Sequence, residues 1–257
     1  GVYDEIMGIL NAAGKRIVEF SGIMSTPTYA KVQDGAKLAR ENHVDLILAV
    51  GGGSVSDCCK VISGAFDTLS HAMETYFGKP DENNLSDDIN EAVMRSVIRS
   101  IRILLTDPEN YDARSELAQA SAMAENGVLK IGKVTDFQAH QIQHQLGAYT
   151  DCNHGAGLAV IHPVLYRHIY KSGAARFARF AQNVWGIAPK GSDGETAAGI
   201  DALASFIKEI GLPTSFAELG IPADTDFRAV ADSTNITASC CKKLTRDEIC
   251  EILQECL

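Results

Sequence analysis

From Asp67 to the C-terminus, the apolar residues recur at the spacing of amphipathic helices, and almost no segment alternates as a strand does. The clearest series repeats every four residues: Ile89, Val93, Val97 and Ile101. Asp107-Pro108 ends this helix, because proline cannot continue it. The further predicted helices are 115–131, 136–149, 174–184, 196–210, 227–233 and a last one that opens with the capping box Thr245-Arg-Asp-Glu248. The pattern predicts an all-α domain over residues 64–257.

Residues 1–63 show an α/β pattern instead. The predicted elements are a helix at 3–13 that ends at Gly14, a short strand at 16–20, a helix at 28–41 and a strand at 43–50. The last strand is a largely apolar run of the kind that is buried on both faces in a parallel sheet. We therefore predict that residues 1–63 form a Rossmann-like dinucleotide-binding domain. It is incomplete in this chain, because two parallel strands are too few for a stable sheet.

A glycine turn follows the predicted strand at 43–50. The run Gly51-Gly-Gly-Ser54 leads into a predicted helix through Asp57 and Lys60. Strand, glycine turn and helix in this order are typical of nucleotide binding, because glycine lets the backbone approach a pyrophosphate and a helix N-terminus attracts its charge. A tight turn without a ligand explains the same residues equally well.

The overall composition excludes several classes of protein. A formal net charge of -10 over 257 residues argues against a nucleic-acid partner, because no basic stripe is available to bind phosphates. Apolar runs such as residues 46–50 are too short to span a membrane. The first residues carry no secretory signal, and the seven cysteines are odd in number and lack CxxC spacing. We therefore predict a cytoplasmic protein with reduced thiols.

Two pairs of potential metal ligands are spaced four residues apart. Asp67 and His71 form the first pair, His140 and His144 form the second, and His154 follows ten residues later. Positions i and i+4 share one face of a helix, so each pair presents its side chains together. Imidazoles with one carboxylate suit Fe²⁺ or Zn²⁺ better than Ca²⁺ or Mg²⁺, which prefer oxygen. The set predicts a divalent metal site that leaves a position for a substrate oxygen.

A histidine taken alone is more often a hydrogen-bonded structural residue than a ligand. His43, His162 and His168 have no comparable neighbours and are predicted to be structural. Two pairs at helical spacing, with a His-Gly turn beyond them, are harder to explain by packing alone. Both interpretations remain open from spacing by itself.

Three segments carry a more specific signal: 45–60 (DLILAVGGGSVSDCCK), 64–78 (GAFDTLSHAMETYFG) and 139–155 (AHQIQHQLGAYTDCNHG). Together they resemble the iron-containing (group III, metal-dependent) alcohol dehydrogenases, in particular the butanol dehydrogenase-like branch, and weaker similarity extends over most of the chain. The resemblance implies four metal ligands: Asp67, His71, His140 and His154. It places His144 near the nicotinamide in proton relay. It also implies a pyrophosphate site formed by Gly52, Gly53, Ser54, Val55 and Ser56.

By this resemblance, the chain is a metal-dependent alcohol dehydrogenase. It would interconvert alcohols and aldehydes by hydride transfer with NAD(P)(H), while Fe²⁺ or Zn²⁺ polarises the substrate oxygen. The resemblance also implies a homodimer. Three alternatives are kept: a glycerol or polyol dehydrogenase of the same family, a metal-dependent hydrolase or lyase, and a non-enzymatic helical module whose histidines only pack.

The chain departs from the family pattern between the glycine turn and the helix of Asp67. The family has a long segment there, whereas in this chain Lys60-Val-Ile-Ser63 is followed at once by Gly64-Ala-Phe-Asp67. We therefore predict an interruption of the chain at about Ser63/Gly64, with Cα atoms well beyond the ~3.8 Å of a trans peptide. A normal peptide bond at this point would instead indicate a deletion.

Overall fold

Helices make up nearly all regular secondary structure in the described part of the chain. The structure is a computed structural model that describes residues 7–10, 12–18, 37–38, 41–42, 53–79, 82–188, 194–237 and 241–257, with the backbone alone for 53–63 and 194–196. The chain divides into two compact units, Gly1–Val61 and Ile62–Leu257. Among the described residues, no helix combines the length and the apolar character that crossing a bilayer requires.

The first unit is described over a few residues. Residues 7–10 and 12 are helical and Gly14 has a φ of +64°, in agreement with the predicted helix end. The strand predicted at 16–20 is wrong over residues 16–18, which have no regular structure. A strand needs a neighbour for its backbone groups, and no described residue pairs with this segment, whereas Arg16 donates from Nη2 to Asn42 Oδ1 (3.0 Å). The predicted strand at 43–50 lies outside the described residues, and residues 37, 38 and 41 of the predicted helix at 28–41 are helical.

The second unit consists of helices joined by short connections. In chain order the long helices are α1 (Gly53–Tyr76, which begins in the first unit), α2 (Leu85–Thr106), α3 (Tyr111–Glu125), α4 (Gln138–Thr150), α5 (His154–Ile169), α6 (Ala174–Trp185), α7 (Gly194–Glu209), α8 (Phe227–Ser233) and α9 (Arg246–Glu255). Two short 3₁₀ turns lie at Val128–Lys130 and Tyr170–Gly173. An isolated antiparallel bridge joins Lys79 to Val134. The prediction of a helical domain is confirmed for the described residues.

Helix α2 shows how local signals set these elements. Its N-terminus is a capping box, in which the Asp87 amide donates to Asn84 Oδ1 (3.2 Å) and the Asn84 amide donates to Asp87 Oδ2 (3.0 Å). The apolar stripe at Val93, Val97 and Ile101 is buried. The helix ends at Thr106, before the predicted break at Asp107-Pro108.

An aromatic cluster fixes the end of α1 in the core. The Phe77 ring stacks on Phe177, with ring centroids 4.2 Å apart and 22° between the planes. Phe180 and Tyr166 pack on the same ring at centroid distances of 5.4 Å and 4.9 Å. All four side chains are buried. Because a buried aromatic side chain contributes roughly 1.5–3 kcal/mol, the cluster anchors α1 firmly to α5 and α6.

A buried group of charges lies next to this cluster. Asp87 accepts from Lys133 Nζ (2.7 Å) and from Arg176 Nη1 (2.8 Å). Both cations also donate to the backbone oxygen of Tyr76, at 3.2 Å and 3.1 Å. The group therefore ties the last turn of α1 to the start of α2, to α6 and to the segment that precedes α4.

Two helices differ from the prediction. Helix α3 begins at Tyr111 and ends at Glu125, because Gly127 adopts a φ of +86° and breaks the helix predicted to run to residue 131. Helix α5 is not predicted at all. Its sequence contains Gly155, Gly157 and Pro163, which favour turns when only local propensity is considered.

Helix α1 is continuous through Ser63 and Gly64. The interruption predicted at this point is therefore wrong. The helix predicted through Asp57 and Lys60 and the helix that carries Asp67 and His71 are one element of 24 residues.

Helices α6 and α7 cross at a glycine, and this contact is testable. A Cβ atom at Gly199 would lie 2.9 Å from Phe180 Cδ1 and 3.1 Å from the backbone N of Ala181. We expect Gly199→Ala to lower the free energy of unfolding by roughly 1–3 kcal/mol in urea titrations, because that backbone cannot move aside. Gly64→Ala is the matched control within α1, where an added Cβ meets nothing within 4 Å. It should stabilise by roughly 0.5–1 kcal/mol. Equal stability of both variants would contradict the close crossing.

Candidate metal centre

Asp67 lies among imidazoles that come from neighbouring helices. Its Oδ1 atom is 3.3 Å from His140 Nε2 and 3.4 Å from His154 Nε2. Asp67 is on α1, His140 is on α4 and His154 is the first residue of α5. His140 is buried, and the other two are partly exposed, so the group is closed on one side and accessible on the other.

A short turn brings His154 to this group. Asp151 has a φ of +54° and ends α4, and residues 151–153 complete the connection. The Asn153 side chain caps α5 by accepting from the Ala156 amide (3.0 Å). The rings of His140 and His154 then lie 5.2 Å apart between centroids. His154 therefore reaches the group as the first residue of a helix of its own.

The separations between these atoms fit a single small ion. One ligand atom each from Asp67, His140 and His154 lies within 4.8 Å of the others. Ligands at about 2.0–2.2 Å from a tetrahedral ion are roughly 3.3–3.6 Å apart. The separations of 3.3 Å and 3.4 Å from Asp67 Oδ1 fall in this range.

His71 lies beside the group but has a second partner. Its Nε2 is 3.7 Å from Asp67 Oδ1 and 3.0 Å from Glu125 Oε1 at the end of α3. Its ring packs on His140, with centroids 4.4 Å apart, and its Nδ1 is buried without a hydrogen bond among the described residues. Three of the four predicted ligands therefore converge closely, and His71 is shared between Asp67 and Glu125.

The far nitrogens of two histidines are held by buried side chains. His140 Nδ1 contacts Glu74 Oε2, and His154 Nδ1 contacts Gln143 Oε1. Glu74 also accepts from the Ala139 amide at 2.6 Å. With Nδ1 engaged, each ring turns its Nε2 towards Asp67.

The electrostatics of the group favour a charged Asp67 and a charged His140. Burial raises the pKa of Asp67, but hydrogen bonds from His140 and His154 outweigh this effect and hold it well below its usual value. Burial lowers the pKa of His140, whereas its hydrogen bonds to Asp67 and Glu74 raise it, to about 9. Burial and the neighbouring His140 lower the pKa of His71 to about 4. At neutral pH, His71 is therefore neutral.

His144 lies on the outer side of the group. Its ring stacks on His154, with centroids 5.3 Å apart and 23° between the planes. The side chain is exposed. Burial of part of the ring lowers the pKa of His144, and the neighbouring His154 and His140 lower it further.

Family models match the chain along its whole length. A model described as "Fe-containing alcohol dehydrogenase family, C-terminal" matches residues 61–257, and one described as "Iron-containing alcohol dehydrogenase" matches residues 1–93. The chain belongs to the iron-containing alcohol dehydrogenase family. The family and enzyme class implied by the motifs at 45–60, 64–78 and 139–155 are thereby confirmed.

Named relatives of this iron-containing alcohol dehydrogenase include users of both nicotinamide cofactors. It is 26% identical to NADH-dependent butanol dehydrogenase B of Clostridium acetobutylicum, over 99% of this chain and 87% of the relative. It is 24% identical to the NADPH-dependent aldehyde reductase YqhD of Escherichia coli, over 86% of this chain and 79% of the relative. The crystal structure of NADH-dependent butanol dehydrogenase A from Thermotoga maritima superposes with a TM-score of 0.76 at 24% identity. It covers 100% of this chain and 87% of that one, which shows a shared fold.

This dehydrogenase is shorter than its relative within the aligned region. The alignment with butanol dehydrogenase B spans 339 positions, whereas the chain has 257 residues. The relative therefore has segments inside the alignment that this chain lacks. A deletion, rather than an interruption of the chain, agrees with a continuous α1.

The predicted cofactor-binding residues and the histidines predicted to be structural are only partly described in this dehydrogenase. Gly52 is outside the described residues, and Gly53, Ser54, Val55 and Ser56 form the first turn of α1. His162 is fully buried and its Nε2 is 2.6 Å from Ser70 Oγ, whereas His168 is 3.1 Å from Glu255. Neither histidine is among the residues that converge on Asp67 Oδ1, and His43 is outside the described residues.

Sequence analysis did not identify Glu74, Gln143 or Glu125. A signal for Glu74 was present, because it follows Asp67 by seven residues and therefore lies on the same helix face. Gln143 likewise follows His140 by three residues on α4. Glu125 comes from a different helix, and spacing along the chain gives no indication of its approach to His71.

Proposed function

We propose that this chain catalyses the reversible interconversion of primary alcohols and aldehydes with NAD(P)(H). In this proposal a divalent ion, Fe²⁺ or Zn²⁺, is held by Asp67, His71, His140 and His154. The convergence of Nε2 atoms on Asp67 Oδ1, within the segment that matches the family model, carries the proposal.

The donor set fits such an ion. Three imidazoles and one carboxylate are the mixture that Fe²⁺ and Zn²⁺ accept, and a low pKa keeps Asp67 ionised for ligation. When bound, the ion supplies Lewis-acid polarisation of the substrate oxygen, and the nicotinamide cofactor exchanges the hydride. Asp67 and the histidines orient the substrate oxygen on the accessible side of the group.

His144 is proposed to move the proton of the reaction. Its exposed ring lies against His154, and its lowered pKa leaves it neutral at neutral pH. A neutral ring nitrogen can take the hydroxyl proton during alcohol oxidation and return a proton from solvent during aldehyde reduction.

The first turn of α1 is proposed to bind the pyrophosphate of the cofactor. Residues Gly53–Ser56 are the first turn of a helix, where the amides have no partner within the helix, and no acidic residue lies in this turn. We keep the division into a dinucleotide-binding domain at 1–63, of Rossmann-like type, and a metal-binding domain at 64–257. The test is hydrogen exchange of the protein with and without NADPH or NADH. We expect the bound cofactor to slow amide exchange in this turn.

A diol or polyol substrate is the second candidate. The Glu125 side chain is about half exposed and its carboxylate is 3.0 Å from His71 Nε2. A carboxylate at this position can accept a hydrogen bond from a second hydroxyl group. A higher kcat/KM for 1,3-propanediol than for 1-butanol would favour this candidate.

The proposed function is tested with purified protein after removal and return of the metal. We expect about one metal per chain, butanal-dependent oxidation of NADH or NADPH, loss of this activity after chelation and recovery with Fe²⁺ or Zn²⁺. His168→Ala, which changes a histidine away from the centre, is the control for His140→Ala and should keep both metal and activity. Ester hydrolysis without cofactor use would support the metal-dependent hydrolase instead. Absence of metal would support the helical module.

Metal binding is expected to release about one proton per site at pH 7. The pKa of His140 is raised to about 9, so its Nε2 carries a proton in the metal-free protein, and ligation requires that this nitrogen lose it. The apparent affinity for Zn²⁺ should rise roughly tenfold per pH unit up to about pH 9 and level off above it. Calorimetry in buffers of different ionisation enthalpy counts the proton. A count of zero at pH 7 would contradict the charged His140.

We also propose a cytoplasmic location and a homodimer. Free thiols at Cys152, Cys250 and Cys256 suit a reducing compartment. Sedimentation of the purified protein tests the dimer.

A further inference from the structure

Glu74 is a fully enclosed carboxylate behind His140. It is 3% exposed and lies on α1, seven residues after Asp67. Its oxygens contact His140 Nδ1, the Ala139 amide (2.6 Å) and the His140 amide (3.3 Å). The two amides can only donate, and His140 Nδ1 is a third donor when it carries its proton. An ionised carboxylate, which only accepts hydrogen bonds, therefore satisfies this environment.

The contact with Glu74 decides which nitrogen of His140 is available. Donation from Nδ1–H to the carboxylate leaves Nε2 as the nitrogen that faces Asp67, at 3.3 Å. The same helix α1 thus supplies a carboxylate on each side of the ring. A histidine ligand with its other nitrogen bonded to a carboxylate is oriented before metal arrives and is a stronger donor.

Gln143 plays the corresponding part behind His154. It is 2% exposed and its Oε1 contacts His154 Nδ1, while its Nε2 is 3.9 Å from Cys152 Sγ. Two glycines make room for it. A Cβ on Gly157 of α5 would lie 3.1 Å from Gln143 Cγ, and a Cβ on Gly147 of α4 would lie 3.4 Å from its Nε2. The crossing of α4 and α5 is therefore built around this amide.

We propose that Glu74 and Gln143 are positioning residues that fix the Nδ1–H form of His140 and His154 and so present both Nε2 atoms to one divalent ion. This inference rests on the proposed metal site. It adds that Glu74 and Gln143, which are not ligands, orient two of the ligands.

A purely structural role is the competing explanation. Glu74 accepts from two amides in the first turn of α4, so its loss would also weaken that helix end. A structural role predicts lower stability of the metal-free protein with an unchanged affinity of the folded protein for metal. Positioning predicts a lower affinity even where the metal-free protein remains folded.

The experiment measures Zn²⁺ dissociation constants of the metal-free protein by competition with a chromophoric chelator, and in parallel the melting temperature without metal. We expect Glu74→Gln to weaken Zn²⁺ binding roughly 10–100-fold and Gln143→Leu roughly tenfold. Glu91→Gln is the matched control. Glu91 is also buried and accepts from Tyr76 Oη (3.0 Å) and Asn183 (3.0 Å), away from the centre. It should change the melting temperature and leave the Zn²⁺ dissociation constant within threefold.

The outcomes separate the two levels of the proposal. If the wild type binds one Zn²⁺ and both variants bind it as tightly, the positioning role is overturned and the metal site stands. If the wild type binds no Zn²⁺, the proposed function fails and the positioning role fails with it. If Glu74→Gln does not fold, Gln143→Leu decides, because Gln143 does not contribute to a helix end.

Discussion

Asp67→Asn is expected to remove the metal and to lower kcat/KM for aldehyde reduction by at least roughly 10³-fold. Asp67 Oδ1 is the atom that His140, His154 and His71 all face, at 3.3, 3.4 and 3.7 Å. Asparagine has almost the same shape but no charge, so the substitution removes the anionic ligand and keeps the volume. Lewis-acid polarisation is worth several kcal/mol, and each ~1.4 kcal/mol corresponds to a factor of ten in rate.

The measurement combines metal content with steady-state rates on butanal. Asp201→Asn is the control, because Asp201 is exposed and pairs with Arg167 at 2.8 Å away from the centre. It should retain full metal and a kcat/KM within about twofold. The metal-free Asp67→Asn variant should melt at a lower temperature than the metal-free wild type, because the buried His140 loses its charged partner. Metal content is therefore measured at a temperature at which the variant is folded. A variant that lost activity but kept one metal per chain would remove Asp67 from the ligand set.

The helices that could be predicted are those with strong local signals. Helix α2 has a capping box and an apolar stripe on one face, and α9 opens with the box formed by Thr245 and Glu248. Helix α8 was predicted with the bounds that it has, 227–233. In each case the polar and apolar residues separate along the helix as burial on one side requires.

Helix α5 could not be predicted because tertiary contacts, rather than local sequence signals, stabilise it. Most of its residues are buried around the whole circumference, so no periodic polar face marks it. Gly157 lowers its local helix propensity but is needed where Gln143 fills the space between α4 and α5. Pro163 is accommodated in the helix interior. Contacts between helices thus outweigh propensity here.

Helical spacing singled out the pairs Asp67/His71 and His140/His144, and the resemblance to the family then implied the ligand set Asp67, His71, His140 and His154. Asp67 and His71 share one face of α1, and the approach of the second pair on α4 needed only the fold of a helical domain. The buried residues that contact these ligands, Glu74 and Gln143, were not predicted. The spacing of Glu74 places it on the helix face of Asp67, but only its contacts with the first turn of α4 show that it is enclosed behind His140. The burial of Glu74, which is a property of the folded chain, identifies it as part of the site.

Asp87→Ala is expected to lower the free energy of unfolding by about 3–5 kcal/mol. The side chains of Asp87 and Lys133 are fully buried, and Arg176 is almost so. Without the carboxylate, two buried cations lose a charged partner that they share, and a buried charge that loses its partner carries this cost. At about 2–4 °C per kcal/mol for a unit of this size, the melting temperature should fall by roughly 10 °C. Urea unfolding followed by far-UV circular dichroism gives the free energy directly.

Two further variants isolate the cause. Asp87→Asn can still accept in the capping box with Asn84, so a loss close to that of alanine assigns the effect to charge rather than to the helix cap. Asp88→Ala changes the next residue, an exposed carboxylate paired with Arg179, and should cost no more than about 1 kcal/mol. If Asp87→Ala and Asp88→Ala proved equally mild, the buried cations would have to be satisfied without Asp87. Because Lys133 precedes α4 and Tyr76 ends α1, loss of Asp87 should also loosen the two helices that carry Asp67 and His140, and metal affinity should fall with stability.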